Sequence, residues 1–487
     1  MKVNQNISAV ISNAQLHRTE DKLSASIQRL SSGFKLNKAK DNPAGMAISN
    51  KMRAQINALE QSSSNAADGT SVLQTADGGL SEIHAMLQRM RELSVQSATD
   101  SMTEDDKQAC QDEVEKLQDE VDRIARDTEF NGKRILDGSQ DYRMFPSVGG
   151  DLAGTYIRNF QTTDGVDAKD YAVQITQLPE KAVLTTGNIT AGTAAKIEIN
   201  GVKIDILATD SQNDIYTKLK EKGELAGVKV EQLPAGGGNV QYQLTTFGYG
   251  KKEKIEYTNS NEANPRTAQG KDTGINILEE GSPKLDMNGN PITPAATYEE
   301  GFAKTATYLS DGKKVTIKDL NGFEMIFEVD PEQDAKGVLA NVGGGNNITV
   351  DLEMTDLGSM TLQVGAHENQ IVDVRIPAVN CEALFISDLN LVRSGKADQA
   401  MADLDDAIAQ VSAVRSRIGA YQNRLDYAVK SLDGTVENME SAISRIMDTD
   451  MAEEMATYSN MNVLDQAAIS VLTQANDMPQ QILQLLQ

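Results

Sequence analysis

Residues 401–446 read MADLDDAIAQVSAVRSRIGAYQNRLDYAVKSLDGTVENMESAISRI. Apolar side chains recur at Leu404, Ile408, Val411, Ile418, Tyr421, Leu425, Leu432, Val436, Met439, Ile443 and Ile446, in steps of three, four or seven. That period predicts one helix of over forty residues, roughly 65 Å long at 1.5 Å per residue, broken at most at Gly419 or Gly434. So narrow a stripe over such a length implies coiled-coil-like packing rather than a round core.

Similar stripes flank it. Leu73, Ala76, Leu80, Ile83, Leu87 and Met90 alternate steps of three and four, as do Cys110, Val114, Leu117, Val121 and Ile124. At the chain ends, Leu16, Leu23, Ile27, Leu30 and Phe34 form one seam, with Glu20 its polar intruder. Leu464, Ala468, Val471, Ala475, Met478, Ile482 and Leu485 form another. Between these regions the pattern changes. Nine of the 11 Pro lie between Pro146 and Pro377, and 27 of the 37 Gly lie within 139–371. Both residues interrupt helices and mark turns, so 1–138 and 372–487 read as helical and the middle as strands. Lys196 to Ile199, Asn200-Gly201, then Val202 to Ile206 is a hairpin signal, because Asn-Gly fits a type I′ turn. Val315 to Leu320, Asn321-Gly322, then Phe323 to Val329 repeats it, and Ile348 to Leu352 is a further strand. The fold class is therefore α+β: long helices from both termini forming a rod, with a β-rich inserted outer region of one or two domains.

Two hinges set the outermost helices apart. One runs from Ser32-Gly33 to Asp41-Asn42-Pro43, where Asp41 or Asn42 can cap the next helix. The other is Asp448-Thr449-Asp450. Two amphipathic helices of about thirty residues leave part of each seam exposed and are marginal alone in water. Further copies of the chain would complete the burial, and head-to-tail contacts that do not close give helical filaments. The self-assembly seam is accordingly placed at Leu23, Ile27, Leu30, Leu464, Val471, Met478, Ile482 and Leu485.

Composition excludes much else. The 487 residues carry 46 Lys+Arg against 71 Asp+Glu, a net charge of −25, and no basic run long enough to recruit nucleic acid or an anionic membrane surface. Neither nucleic acid nor membrane insertion is expected, since no stretch of about 18 apolar residues occurs. Two Cys make neither a disulfide-rich scaffold nor a four-ligand zinc ribbon. Trp is absent and aromatics make up only 4% of residues, which suits burial along thin aliphatic seams.

Several long motifs resemble bacterial flagellins. At the N-terminal side these are Gln28-Arg29-Leu30-Ser31-Ser32-Gly33, Ala39-Lys40-Asp41, Ala44-Gly45, Ala66-Ala67-Asp68-Gly69, Gln88 through Gln96 and Phe130-Asn131-Gly132. At the C-terminal side they are Gly365-Ala366, Arg415 through Leu425, Ser444 through Met455 and Gln474 through Gln480. The resemblance covers about 250 residues at both ends and implies a structural subunit that self-polymerises into a motility filament. It implies three layers: 1–43 with 448–487 as an inner coiled-coil tube, 44–138 with 372–447 as a helical rod, and 139–371 as a variable outer insert. Implied partners are the chain itself, an export chaperone at the C-terminal helix, and the filament cap and hook-junction proteins. Implied localisation is extracellular, by flagellar type III export without a Sec signal peptide; the N-terminus shows no apolar h-region. Gln88, Arg89, Arg91 and Leu93, with Glu113, match the flagellin surface recognised by animal Toll-like receptor 5. The same face also suits packing between subunits.

Catalytic chemistry is not expected, and no cofactor or metal is implied. His367-Glu368-Asn369-Gln370-Ile371 has Ile371 where a helical zinc motif needs a second His. Glu104-Asp105-Asp106 reads as the acidic first turn of the Cys110 helix rather than a calcium loop. Cys110 reads as a small buried hydrophobe, with a Cys110–Cys381 disulfide as the alternative. Two rival functions are a hook–filament junction protein and an adhesin whose insert would use Tyr242, Phe247 and Tyr249 as a sugar platform.

Overall fold

The computed structural model describes residues 6–485 apart from 100, 149–150, 153–156, 164–165, 236–238, 263, 279–300, 334–347, 356–357 and 394. The fold is α+β. Among the described residues the α-helices are α1 (Ile7–Ser32), α2 (Pro43–Ser97), α3 (Glu104–Asp127), α4 (Gln212–Leu225), α5 (Lys396–Met447) and α6 (Met451–Leu485). The chain divides into two compact units: residues 1–69, 363–372 and 424–487, and residues 70–362 and 373–423.

In the first unit, α1 and α6 pair antiparallel: the Asn6 amide donates to the Ala475 carbonyl at 2.7 Å, and Ser26 meets Glu454. The two hinges join each other. Gly33 ends α1 at φ 74°, a left-handed position that suits glycine. Its carbonyl accepts from the Thr449 N–H at 3.0 Å, while the Lys35 N–H donates to the Met447 carbonyl. Asn42, not Asp41, caps α2: its Oδ1 accepts from the Gly45 N–H at 2.9 Å, and Pro43 is the first helical residue. Asp41 instead holds the Asn37 and Lys38 amides.

In the second unit the α2 stripe is buried as its spacing predicts. Leu73, Ala76, Leu80, Ile83, Leu87 and Met90 are all inaccessible, as are Val114 and Val121 of α3 and Leu404, Ala407 and Val411 of α5. The α3 stripe drifts slightly: Gln111 and Ala125 are buried, while Leu117 and Ile124 are only half-buried. Thr103 caps α3 in a reciprocal box with Asp106, and Glu104, Asp105 and Asp106 occupy its first turn.

Of the expectations for the helical ends, the single long helix holds and the extent of the helical regions needs correction. α5 passes through Gly419 and Gly434 unbroken, because its neighbours supply enough helix-forming residues to outweigh about 1 kcal/mol per glycine. An added Cβ at either glycine meets nothing within 4 Å. Gly419→Ala and Gly434→Ala are each expected to stabilise the chain by roughly 0.5–1 kcal/mol, read as a higher midpoint in urea unfolding. The correction concerns 1–138 and 372–487, read as helical throughout: Glu129–Phe130 pairs with Lys133–Arg134, Ile371–Val374 is a strand, and 375–393 is irregular. Pro377 and Phe385 at φ 58° interrupt any helix there, and α3 side chains satisfy the backbone instead. Gln111 donates to the Leu389 carbonyl and accepts from the Leu391 N–H, and Asp122 accepts from the Cys381 N–H at 2.7 Å.

Among the described residues the middle of the chain builds two hydrophobic cores. The first joins a sheet ordered Gly274–Ile277, Asp170–Gln177, Ile348–Thr355, Arg143–Val148, Asp151–Leu152 to one ordered Thr307–Asp311, Lys314–Lys318, Glu324–Val329, Ile157–Thr162. The second lies within its chain span, at 182–257, and packs α4 with the strands Ala195–Ile199, Val202–Ile206, Val228–Ala235 and Asn239–Thr246 among others. Asn200 (φ 46°) and Gly201 (φ 83°) make the two-residue turn between Ile199 and Val202. The other hairpin is wider than its Asn-Gly suggests: Lys318 faces Glu324, leaving a five-residue loop in which Asp319 binds Leu320 N–H and the Asn321 amide. α4 stands in a region read as strands alone. Its sequence signal is the capping box Ser211 to Asp214, followed by buried Ile215 and Leu219.

Candidate functional site

The terminal pair is built from helices with two apolar faces each. On α1, Leu16, Thr19 and Ser26 are buried, with Leu23 and Leu30 half-buried beside them. On α6 the corresponding side is Glu454, Met461, Asp465, Ala468, Leu472 and Ala475. Of the sequence-derived seam, Leu23 and Leu30 thus turn inward, while Ile27, Leu464, Val471 and Met478 remain about half-exposed on the other side. Ile7, Val10, Ile11, Val463 and Ile469 extend that exposed set; Val10 is 68% and Val463 65% accessible. The side chains of Ile482 and Leu485 lie outside the described residues. A second stripe on each helix is missed by a strict heptad reading, although Val463 and Ile469 are visible in the sequence as apolar residues off the main register.

The α2–α3 face is polar. The Arg89 guanidinium donates to Glu113 with Nε at 2.9 Å and Nη2 at 2.8 Å, and Nη1 reaches Glu92 at 3.3 Å. Hydrogen bonding to Glu113 raises the Arg89 pKa above its ordinary value. Gln88 contacts His84 at 3.0 Å. Arg91 turns toward α5 and pairs with Asp405, whose pKa this hydrogen bond lowers. Leu93 does not share the surface: at 2% accessibility it continues the buried stripe three residues after Met90. Sequence spacing alone places it there, and the motif match obscures it.

Other candidates resolve differently. Both cysteines are free and buried, so the disulfide alternative is not realised. Burial raises the Cys381 thiol pKa well above its ordinary value. His367 lies exposed in a turn, its N–H donating to Gln370 Oε1 at 3.1 Å. The proposed sugar platform is already occupied. Tyr242 is buried and stacked with Tyr216, Arg393 covers Phe247 at 3.8 Å, and Lys181 and Lys313 lie over Tyr249. A cleft of about 640 Å³ does open beside Phe247 and Tyr249, and Asp403 on its wall is pushed up to about 6 by burial. Among the described residues no helix is long and apolar enough to cross a membrane.

Comparison with known proteins agrees with the helical ends. Residues 3–141 match the bacterial flagellin N-terminal helical region, and residues 401–486 the bacterial flagellin C-terminal helical region. Flagellin of Escherichia coli (strain K12) is 32% identical over 520 residues, covering 100% of this chain and 99% of that protein. Flagellin of Salmonella derby is 33% identical over 519 residues, covering 99% of each. Among solved structures, FliC from Burkholderia pseudomallei aligns with 73% of this chain and 99% of its own at 20% identity and a TM-score of 0.23. The flagellar junction protein FlgL from Legionella pneumophila aligns with 82% of this chain and 99% of its own, at 13% identity and a TM-score of 0.29. A helix-ended structural protein of the bacterial flagellum is therefore the class. The full-length sequence relatives make the chain a member of the bacterial flagellin family.

Proposed function

We propose that the chain polymerises into the flagellar filament through α1 and α6, which would form the inner tube (1–43 with 448–487). Residues 44–138 with 372–447 would make the rod layer around it, and 139–371 the outer surface. The observation that carries this reading is the apolar face the terminal pair leaves in solvent: Val10, Ile11, Ile27, Leu464, Val471 and Met478. Burying a side chain of this kind gains about 1.5–3 kcal/mol, so several together favour association with further copies. The charge supports an outer placement of the insert, since 21 Lys+Arg against 33 Asp+Glu within 139–371 resist lateral bundling. Electron microscopy of purified full-length protein seeded with filament fragments is expected to show long filaments; monomers alone would refute the reading.

The exposed α6 face also suits an export chaperone that shields it before assembly in an extracellular filament, reached by type III export. Cap and hook-junction proteins would meet the same helical ends.

A second surface is favoured by the Arg89–Glu113 pair. A half-exposed arginine whose guanidinium is held in place by Glu113 and Glu92 is oriented before a partner arrives, and such residues act as hot spots. We place Gln88, Arg89, Arg91 and Glu113 in subunit packing and in recognition by Toll-like receptor 5. Arg89→Ala is expected to weaken receptor signalling by monomers at least about tenfold, the scale of a hot-spot loss near 2 kcal/mol, and to slow polymerisation. Unchanged signalling and polymerisation would remove both roles.

A further inference from the structure

A carboxylate, Glu454, lies buried in the contact of α1 with α6, whose inward faces also carry Thr19 and Asp465 among apolar residues. Glu454 is only 8% accessible and Ser26 2%. The Ser26 hydroxyl donates to Glu454 Oε1 at 2.6 Å, and Arg29 Nη1 stands 3.5 Å from Oε2. Glu454 lies in the first turn of α6, where a carboxylate is favoured by the helix N-terminus.

The position of Ser26 matters more than the strength of the bond. It falls between Leu23 and Leu30 on the α1 face, so sliding α1 by one turn either way presents a leucine to Glu454 in place of a donor. A buried carboxylate without a partner is strongly unfavourable. Apolar residues alone tolerate such slips, whereas a buried polar pair within a helix contact favours the register that keeps it paired. The hinge bonds at Gly33 and Thr449 tether one end of the pair and the Asn6–Ala475 bond the other, and the Ser26–Glu454 contact lies between them.

We propose that Glu454, held by Ser26 and Arg29, is the positioning residue that fixes the register and rotation of α1 on α6, and so the one geometry in which the pair enters the polymer. The inference rests on the filament reading above. It assigns Glu454 to specificity rather than to the stability of the helix pair.

The test uses the full chain in three forms: wild type, Glu454→Gln and the double variant Ser26→Ala with Glu454→Leu. Critical concentration, filament melting temperature and waveform in electron micrographs are the readouts. Glu454→Gln keeps an acceptor for Ser26 and is expected to give wild-type waveform with a critical concentration within about threefold. The double variant replaces the polar contact by an apolar one. Its filaments are expected to melt no lower than wild type, because such replacements are often neutral or stabilising, yet to show mixed waveforms. Failure of the double variant alone to polymerise also supports the proposal. Double-variant filaments with a uniform wild-type waveform overturn it, as does equal impairment of both variants. If wild type itself stays monomeric, the filament reading fails and the inference falls with it.

Discussion

Deleting residues 451–487 is expected to abolish filament formation at every concentration at which the full chain polymerises. The deletion removes all of α6, including the exposed Val463, Leu464, Ile469, Val471 and Met478. It also strips the cover from Leu16, Leu23 and Leu30 on α1. An isolated α1 of 26 residues is then a marginal helix with apolar side chains and no fixed partner. The same loss is expected on deleting residues 1–32, because each helix supplies the other's inward face. In both truncations thermal unfolding of the remaining protein should still report the cores built around Leu80, Phe327 and Tyr257. Polymerisation by either truncated chain would place the driving force elsewhere.

The second expectation separates stability from assembly. Leu80→Ala should destabilise the single chain by about 2–5 kcal/mol, the range for a buried leucine whose surroundings relax only partly. Leu80 is wholly inaccessible and sits mid-stripe on α2. Leu464→Ala removes the same atoms from a side chain 53% accessible, and is expected to change the stability of the single chain by under about 0.5 kcal/mol. In polymerisation the order reverses. Leu464→Ala should raise the critical concentration strongly, while Leu80→Ala acts only through the fraction of folded chain. Urea unfolding and sedimentation of assembled protein measure the two effects separately. Equal destabilisation by both substitutions would mean that Leu464 is covered within one chain.

The helical architecture was legible because period and burial coincide. The Leu73 to Met90 stripe repeats for over four turns with Met86 as the one competing large apolar residue in the sequence, and every member is buried. The α1 and α6 seams were harder, because each helix carries more apolar residues than one face holds. The inward faces also take in Thr19, Ser26, Glu454 and Asp465, polar residues that a hydrophobic count ignores. In the middle, glycine and proline density correctly marked strands and turns but concealed α4, whose single capping box is a short signal among many turn residues. The scarcity of aromatics also gained a location. The largest fully buried rings, Tyr171, Tyr242, Tyr257, Phe302 and Phe327, all belong to the two β-rich cores. The helical seams close with Leu, Ile, Val, Ala and Met.

The surface at Gln88 and Arg89 was legible as a motif rather than as physics. Spacing places Leu93 in the core with Met90, and only the motif match sets it beside Arg89. The Arg89–Glu113 contact joins residues 24 apart on two antiparallel-connected helices, which no local period announces.

The central claim is that the half-exposed face of α6 becomes buried when copies of the chain assemble. Thiol labelling of a Val471→Cys variant tests it most directly, because Cys110 and Cys381 are both buried in the folded chain. The introduced thiol is expected to react readily in monomers and to be protected at least about tenfold in sedimented filaments, since the thiolate must be accessible to react. Equal labelling of Val471→Cys in monomer and filament would contradict the account.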